Sequence, residues 1–193
     1  MNRQRLRLRV LCEDKLHRGF IERLADRWDV GPRQRMIQAS PEARGSAAKF
    51  VLDNFVGFVK SWRAQPDDNV GALVVIDGDE HGLQRRRQQL TKRLLEAGEL
   101  KLDPADPRFV ILVPCWHIET WIAWLCGHRP VDEHTCYKPE DPQGGEVGRK
   151  IRSGEYSARA AARSWTPRHS EEVTFVPSLA AARDELRRLG VAI

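Results

Sequence analysis

The amino-acid sequence predicts an α/β fold in which a central, mostly parallel sheet is flanked by helices. Two observations lead to this prediction. Apolar runs at 5–12, 72–76 and 109–114 have the composition of strands buried on both faces, and they alternate with amphipathic helical segments. Each run is also followed within a few residues by an acidic side chain and then by a helix. Such alternation is typical of a parallel sheet whose carboxyl edge carries the functional site.

The amino-terminal part of the chain alternates between strand and helix patterns. Residues 5–12 alternate polar and apolar side chains and then become wholly apolar, which predicts a strand entering the core. Apolar residues at helical spacing predict a helix at about 16–28. A short strand-like piece follows at 35–39, and a broad apolar face predicts a helix at about 46–62. The continuous apolar run at 72–76 predicts the central strand.

The remainder of the chain begins with the same pattern and then becomes polar. Helical spacing predicts a helix at about 82–97 that ends at Gly98. The apolar run at 109–114 predicts a strand closed by proline, and a hydrophobic helix follows at about 117–126. The later elements that we predict are short helices at 145–153 and 157–164, a last strand at 173–176, and a closing helix at 177–189 with Ser178 as its N-cap and Gly190 as its terminator.

Length and composition indicate a soluble globular protein. The 193 residues suffice for a single domain, which we expect to consist of a core at about 5–126 and 173–190 and a polar, loop-rich insertion or lid at about 127–172. No apolar run approaches the roughly 18 residues of a membrane span, and the amino terminus does not have the pattern of a signal peptide. The four dispersed cysteines fit reduced thiols, so we expect a cytoplasmic protein without a membrane partner. The net charge of +5 weakly favours an anionic partner.

Acidic residues at the ends of the buried strands are the main functional signal. Asp77 and Asp79 follow the central strand, Glu13 follows the first strand, and Glu119 lies at the start of the helix after 109–114. Because carboxyl ends of parallel strands meet at one edge of a sheet, we expect these four carboxylates to converge. Clustered like charges need a cation or a raised pKa, and hard oxygen ligands suit Mg²⁺ or Mn²⁺. Such ions serve phosphoryl transfer and phosphodiester hydrolysis.

Each acid also has a simpler interpretation. Asp77 and Asp79 are compatible with an acidic turn in which Gly78 occupies a position of positive φ. If the strand instead continued through Asp79, the two aspartates would point to the same side. Glu13 and Glu119 are compatible with charges that stabilise helix amino termini.

The order of these motifs resembles the Toprim domain, the catalytic fold shared by topoisomerases, primases and OLD-family nucleases. The similar segments are Val10-Leu-Cys-Glu13, Val75-Ile-Asp77-Gly-Asp79 and Val113-Pro-Cys-Trp-His-Ile-Glu119-Thr-Trp-Ile. The third segment is similar to the Pro…Glu-x-Trp-Leu helix of small stand-alone Toprim proteins grouped with RloB and OLD-type nucleases. The resemblance spans about 6–126 and, more loosely, 173–189.

The resemblance implies roles for residues already singled out. The implied metal-binding and catalytic acids are Glu13, Asp77, Asp79 and Glu119. In the family, the glutamate after the first strand acts as general acid/base or metal ligand, and the aspartate pair holds the metal. OLD-type nucleases also use a lysine beyond the last acid, for which Lys138 and Lys150 are both candidates. Asp14 stands where the family usually has glycine or another small residue.

The expected function is therefore a Mg²⁺- or Mn²⁺-dependent Toprim-type nuclease acting on DNA, in phage defence or DNA repair. Because the ATPase domain of the large OLD proteins is not found in these 193 residues, energy coupling would need a separate ATPase subunit. Two alternatives stay open: a non-catalytic nucleic-acid-binding or regulatory subunit of a larger defence complex, and a phosphotransferase using the same acids. The sequence also leaves open whether the chain forms a homo-oligomer.

Three further patterns suggest contacts of other kinds. The pairs Cys126-x-His128 and His134-x-Cys136 have the ligand types for one zinc ion, although their spacing is uncommon. Trp165, in a polar segment between arginines, is the best candidate among the tryptophans for stacking on a nucleic-acid base. The run 85–87 of three arginines fits phosphate contact and a solvated helix face about equally well.

Overall fold

The computed structural model describes residues 6–41, 47–65, 67–166 and 176–191. Within these ranges the strands are β1 (Arg7–Cys12), β2 (Arg35–Ala39), β3 (Val70–Val75) and β4 (Phe109–Leu112). The α-helices are α1 (Lys15–Arg27), α2 (Ala47–Arg63), α3 (Gly82–Glu96), α4 (Ile118–Leu125), α5 (Gly145–Ser153), α6 (Ala158–Ser164) and α7 (Pro177–Arg188). In the part of the chain that the structure describes, no helix is both long and apolar enough to cross a membrane.

The four strands form one parallel sheet in the order β2-β1-β3-β4. The predicted α/β class with a parallel sheet flanked by helices is thus confirmed, and the arrangement is consistent with a Toprim-like fold. Cys12 at the end of β1 pairs with Val75 at the end of β3, and Val75 pairs with Leu112 at the end of β4. The three strands therefore end at the same level of the sheet, and the residues that follow them enter the same space.

Strand β3 lies at the centre of two hydrophobic layers. All six of its residues are buried, and their side chains alternate between the two faces of the sheet. Leu73 and Val75 pack into a layer built with α1, α4, α6 and α7. Ala72 and Val74 pack into the opposite layer, built with α2 and α3. Burial on both faces explains why this strand is a continuous apolar run in the sequence.

The carboxy-terminal helix begins differently from the prediction. Ser178 is not the N-cap of α7, since that position belongs to Val176. Ser178 lies in the first turn, where its Oγ accepts hydrogen bonds from the indole Nε1 of Trp121 at 2.7 Å and from the amide of Cys115 at 3.1 Å. Buried polar partners thus determine its position. Residues 173–175 of the predicted last strand lie outside the described residues.

The segment predicted as an insertion or lid is in part core. Helices α5 and α6 match the predicted short helices, but α6 packs on α1 and α4. Trp165 is fully buried, with its ring centroid 5.9 Å from that of Phe20 and 6.0 Å from that of Trp121. The prediction that Trp165 contacts nucleic acid is therefore wrong. Ala158, Ala161 and Trp165 lie on one helical face, a pattern that is weak in the sequence because alanine contributes little hydrophobicity.

Replacement of Trp165 tests this core position. Trp165→Ala should lower the free energy of unfolding by about 3–5 kcal/mol, because it leaves a cavity between α1 and α4. Trp165→Phe keeps most of the apolar volume and should cost clearly less. Urea denaturation followed by circular dichroism measures both values. A loss below about 1 kcal/mol for the alanine variant is what an exposed tryptophan would give, and it would contradict the packing described here.

Candidate active site

The predicted acids meet in one cleft at the carboxyl edge of the sheet. The cleft has a volume of about 420 Å³. Its charged lining residues are Glu13, Asp14, Asp77, Asp79, Glu119, Lys138 and Glu140. The equal level of the strand ends accounts for this convergence. Glu13 follows β1 directly, Asp77 and Asp79 lie in the turn after β3, and Glu119 lies in the first turn of α4, the helix after β4. The four acids predicted to share a site therefore line the same cleft.

Asp77 is the most highly connected of these acids. Its backbone amide donates a 2.7 Å hydrogen bond to Glu13 Oε1. Its Oδ1 accepts hydrogen bonds of 2.9 Å from His17 Nε2 and 2.9 Å from the amide of Ile118 at the start of α4. The residue is only 2% exposed, so these donors replace the water that its carboxylate loses on burial. They also fix its orientation toward the cleft.

His17 lies between two carboxylates. Its Nδ1 is 2.8 Å from Asp14 Oδ1, and its Nε2 contacts Asp77. Burial alone would lower the pKa of His17, but the charge of Asp77 and the hydrogen bonds to both aspartates raise it well above the ordinary value. An imidazolium with both N–H groups donated to carboxylates follows from this geometry. Asp14 in turn is the N-cap of α1 and accepts the amides of Leu16 and His17.

We did not predict His17 from the sequence, although a signal is present. Asp14 directly follows an acidic strand end and precedes a helix, which is the position of an N-cap. A histidine three residues later lies in the first turn and is close enough to bond the same carboxylate. Asp14 therefore has a definite structural role as the N-cap of α1.

Asp79 reaches the cleft through a turn and not by extension of β3. Its φ is 46°, in the left-handed region, and its amide donates to the carbonyl of Trp116 at 2.8 Å. One carboxylate oxygen lies 3.1 Å from His117 Nε2, and the other accepts a 2.5 Å hydrogen bond from Arg86 Nη2. Burial would raise the pKa of Asp79, but the hydrogen bond from His117 and the charge of Arg86 lower it.

Gly78 is required for close approach of two backbones. It does not have the positive φ that an ordinary acidic turn would give it, because that conformation belongs to Asp79. A Cβ atom on Gly78 would lie 2.9 Å from the carbonyl oxygen of Pro114, which accepts a hydrogen bond from the Gly78 amide at 2.8 Å. The turn after β3 is thereby held against the chain that follows β4.

Glu13 and Glu119 are buried acids with strongly perturbed protonation. Burial, followed by the negative charge of Asp77, raises the pKa of Glu13 to about 8. The same two causes raise the pKa of Glu119 to about 7. Among the described residues, neither glutamate forms an ion pair with a cationic side chain. A cation between them would favour their ionised forms.

The donor set fits a hard divalent cation. Ligand atoms of Glu13, His17 and Asp77 lie within 4.8 Å of one another, and in the described ranges no other group of three or more such side chains does so. Asp79 and Glu119 are not part of this group, so only Glu13 and Asp77 among the four predicted ligands lie at this distance from each other. Both nitrogens of His17 contact carboxylates, which makes His17 a charge partner of the acids and not a ligand. Oxygen ligands of this kind suit Mg²⁺ or Mn²⁺.

The zinc hypothesis is not supported. Within the described residues the four proposed ligands Cys126, His128, His134 and Cys136 do not form a cluster of metal-binding groups. Cys136 Sγ is instead 3.6 Å from His117 Nδ1. The ring of His128 packs edge-on against two tyrosines.

The two candidate lysines have different surroundings. Lys138 lines the cleft, and its positive charge contributes to the lowered pKa of Asp79. Lys150 lies on α5, where its Nζ is 3.0 Å from Glu146 Oε1 and 3.3 Å from Glu155 Oε1. The structure therefore brings Lys138 to the acids and leaves Lys150 in a separate ion-pair cluster.

No protein-family model matches the chain, and no curated protein and no solved structure matches it. The geometry of the cleft is thus the basis on which its function has to be inferred.

Metal affinity should increase with pH, because Glu13 and Glu119 must be ionised to act as ligands. Their pKa values of about 8 and about 7 mean that binding at mildly acidic pH has to displace protons. We expect the Kd for Mn²⁺ to fall about tenfold or more between about pH 6 and about pH 8.5, measured by isothermal titration calorimetry. Glu13→Gln should bind more weakly and with a flatter pH dependence. A Kd that does not change with pH would exclude these glutamates as ligands.

In the metal-free protein, the raised pKa of Glu13 should make the folded state less stable as the pH rises. The pKa of Glu13 rises from 4.5 to about 8 on folding, so the folded state binds more protons than the unfolded state between these values. Its contribution to stability is therefore present at low pH and is lost as the pH rises through about 8. The melting temperature in EDTA should decline across this window more steeply for the wild type than for Glu13→Gln. Equal slopes would contradict the assignment.

Proposed function

We propose that this protein is a Mg²⁺- or Mn²⁺-dependent nuclease of Toprim type that hydrolyses phosphodiester bonds in DNA. The observation that carries the proposal is the convergence of four acids from three parallel strand ends, together with one lysine, in a single cleft. Their order along the chain is the order that the Toprim resemblance implies. We further propose that it acts in the cytoplasm, which the four free cysteines support.

We assign Glu13 and Asp77 as metal ligands, and we assign proton transfer to Glu13 as well. A bound Mg²⁺ or Mn²⁺ would activate an attacking water and offset the charge that develops on the phosphate. Asp77 is held by His17 and the amide of Ile118, so its free carboxylate oxygen has a fixed direction. In the metal-free site the pKa of Glu13 is about 8, so Glu13 can accept and release a proton near neutral pH. It is the residue we assign to proton transfer.

Lys138 is the residue we assign to the phosphate. Its carbonyl accepts a 3.1 Å hydrogen bond from the amide of Asp141, and a Cβ atom on Gly148 would lie 3.1 Å from the same oxygen. The backbone of Lys138 is therefore closely packed against α5, while the side chain lines the cleft. A cation fixed beside the acids would stabilise charge on a phosphoryl oxygen in the transition state.

The first test is DNA cleavage by wild type and an Asp77→Asn variant. With Mg²⁺ or Mn²⁺, the wild type should cleave plasmid or oligonucleotide DNA, and Asp77→Asn should reduce the rate by about 100-fold or more because a ligand charge is lost. Asp184→Asn is the matched control, since Asp184 is exposed on α7 and forms ion pairs with its own helix. The control should cleave as the wild type does.

The outcomes separate the proposal from its alternatives. Metal binding without cleavage of DNA or RNA, but with transfer of phosphate from a nucleoside triphosphate, would indicate a phosphotransferase. Tight DNA binding with neither metal binding nor cleavage would indicate a non-catalytic subunit. Equal cleavage by Asp77→Asn and wild type would show that the activity does not arise in this cleft.

The second test compares the two lysines. Lys138→Ala should lower the cleavage rate by on the order of 100-fold, as expected when a preorganised donor to the transition state is removed. Lys150→Ala removes the ion pairs with Glu146 and Glu155 and the contact with Tyr156, none of which is an acid of the cleft, and should change the rate by less than about twofold. Circular dichroism should show both variants folded. A larger effect at Lys150 than at Lys138 would reverse our assignment.

A further inference from the structure

The run of three arginines at the start of α3 separates into three different environments. Arg85 is exposed. Arg87 donates to Glu185 Oε1 of α7 at 2.7 Å and to the carbonyl of Ile111 at 3.1 Å, so it joins α3 to α7 and to the edge strand β4. Arg86 points the other way and is only 3% exposed. One helical turn thus directs a single buried cation toward the cleft.

The side chain of Arg86 binds the first and the last residue of the segment 77–79, the turn that follows β3. Its Nε donates to the carbonyl of Asp77 at 2.8 Å, and its Nη2 donates to the carboxylate of Asp79 at 2.5 Å. Its Nη1 donates to Gln89 Oε1 at 2.8 Å, one turn along the same helix. The planar guanidinium therefore spans the segment 77–79 in one fixed orientation. A lysine ammonium at this position would keep the charge but lose the fork of parallel donors.

The turn itself needs such support. Asp79 and Trp116 have φ values of 46° and 56°, and the two residues face each other in an isolated antiparallel bridge. Left-handed conformations of residues other than glycine cost energy and persist where surrounding contacts hold them. The contacts on Asp79 are the Trp116 carbonyl, His117 and Arg86. Arg86 is the one that also binds the backbone at Asp77.

We infer that Arg86 is a positioning residue, which holds the segment 77–79, with Asp79 in its left-handed conformation, so that the carboxylate of Asp77 keeps its place in the metal site. This inference rests on the proposed metal-dependent function. It assigns to Arg86 no contact with substrate. It also separates Arg86 from its two neighbours, which have the same side chain and no part in the cleft.

The test compares Arg86→Lys with Arg85→Lys, which makes the same substitution at the adjacent exposed position. Arg86→Lys should raise the Kd for Mn²⁺ by about 10–100-fold in calorimetry, the range typical when a partner of a metal ligand is lost. In metal-free protein, exchange of the Asp79 amide, which donates to Trp116, should become about tenfold faster. Arg85→Lys should match the wild type in both measurements.

The outcomes distinguish this inference from the proposed function. If the wild type binds Mn²⁺ and Arg86→Lys binds it equally well, the inference is overturned while the proposed function stands. A lower melting temperature with unchanged Kd and unchanged Asp79 exchange would show a purely structural role and would also overturn it. If the wild type binds no Mn²⁺, the proposed function fails, whatever the exchange rates are.

A milder variant covers the case in which Arg86→Lys does not fold. Gln89→Ala removes the partner of Arg86 Nη1 and leaves Arg86 in place. The guanidinium should become more mobile, so the Kd for Mn²⁺ and the exchange rate of the Asp79 amide should both increase, by about two- to fivefold. If Gln89→Ala has the same Kd and the same Asp79 exchange rate as Arg85→Lys, the inference is overturned.

Discussion

The hydrogen bonds of Asp77 join the ends of β1 and β3 to the helices α1 and α4. A carboxylate at 2% exposure is costly unless donors replace its hydration. The donors come from His17 in α1 and from the first amide of α4, while its own amide binds Glu13 after β1. The ends of β1 and β3 and the helices α1 and α4 therefore have to keep their relative positions for these hydrogen bonds to Asp77 to persist. The same contacts stabilise the fold and aim the carboxylate, so the arrangement of the site is a consequence of the packing.

The charges of the cleft are balanced unequally. Asp77 faces His17, and Asp79 faces Arg86, so each aspartate has a buried cation of its own. Glu13 and Glu119 have burial and the charge of Asp77 acting on them, and both causes raise their pKa values. The positive charge of His17 lowers the pKa values of Glu13 and Glu119 as well, but by less than burial and the charge of Asp77 raise them.

The order of strands and helices could be predicted from the sequence, because hydrophobic periodicity determines it. The four acids could also be predicted, because they follow the predicted strands. It was insufficient for the partners of those acids. Arg86 is indistinguishable from Arg85 in the sequence, since which of the two points inward depends on how α3 is rotated about its axis. The conformation of Asp79 depends on the approach of Gly78 to Pro114, a contact between segments far apart in the chain. Trp165 was misassigned because its neighbours are polar and its packing partners, α1 and α4, lie elsewhere in the chain.

The segment after α4 combines two kinds of role in one stretch of chain. Its second half contains α6 and Trp165, which pack into the main core, while Lys138, Pro139 and Glu140 from its first half line the cleft. The close contact of the Lys138 carbonyl with α5 joins these halves, because a side chain at Gly148 would already crowd that oxygen. Val147 of α5 belongs to the main core, so this wall of the cleft is packed against the core through α5. In the proposed nuclease, substrate would therefore meet a preformed surface, and changes in α5 or in its packing on the rest of the molecule would reach the phosphate through Lys138.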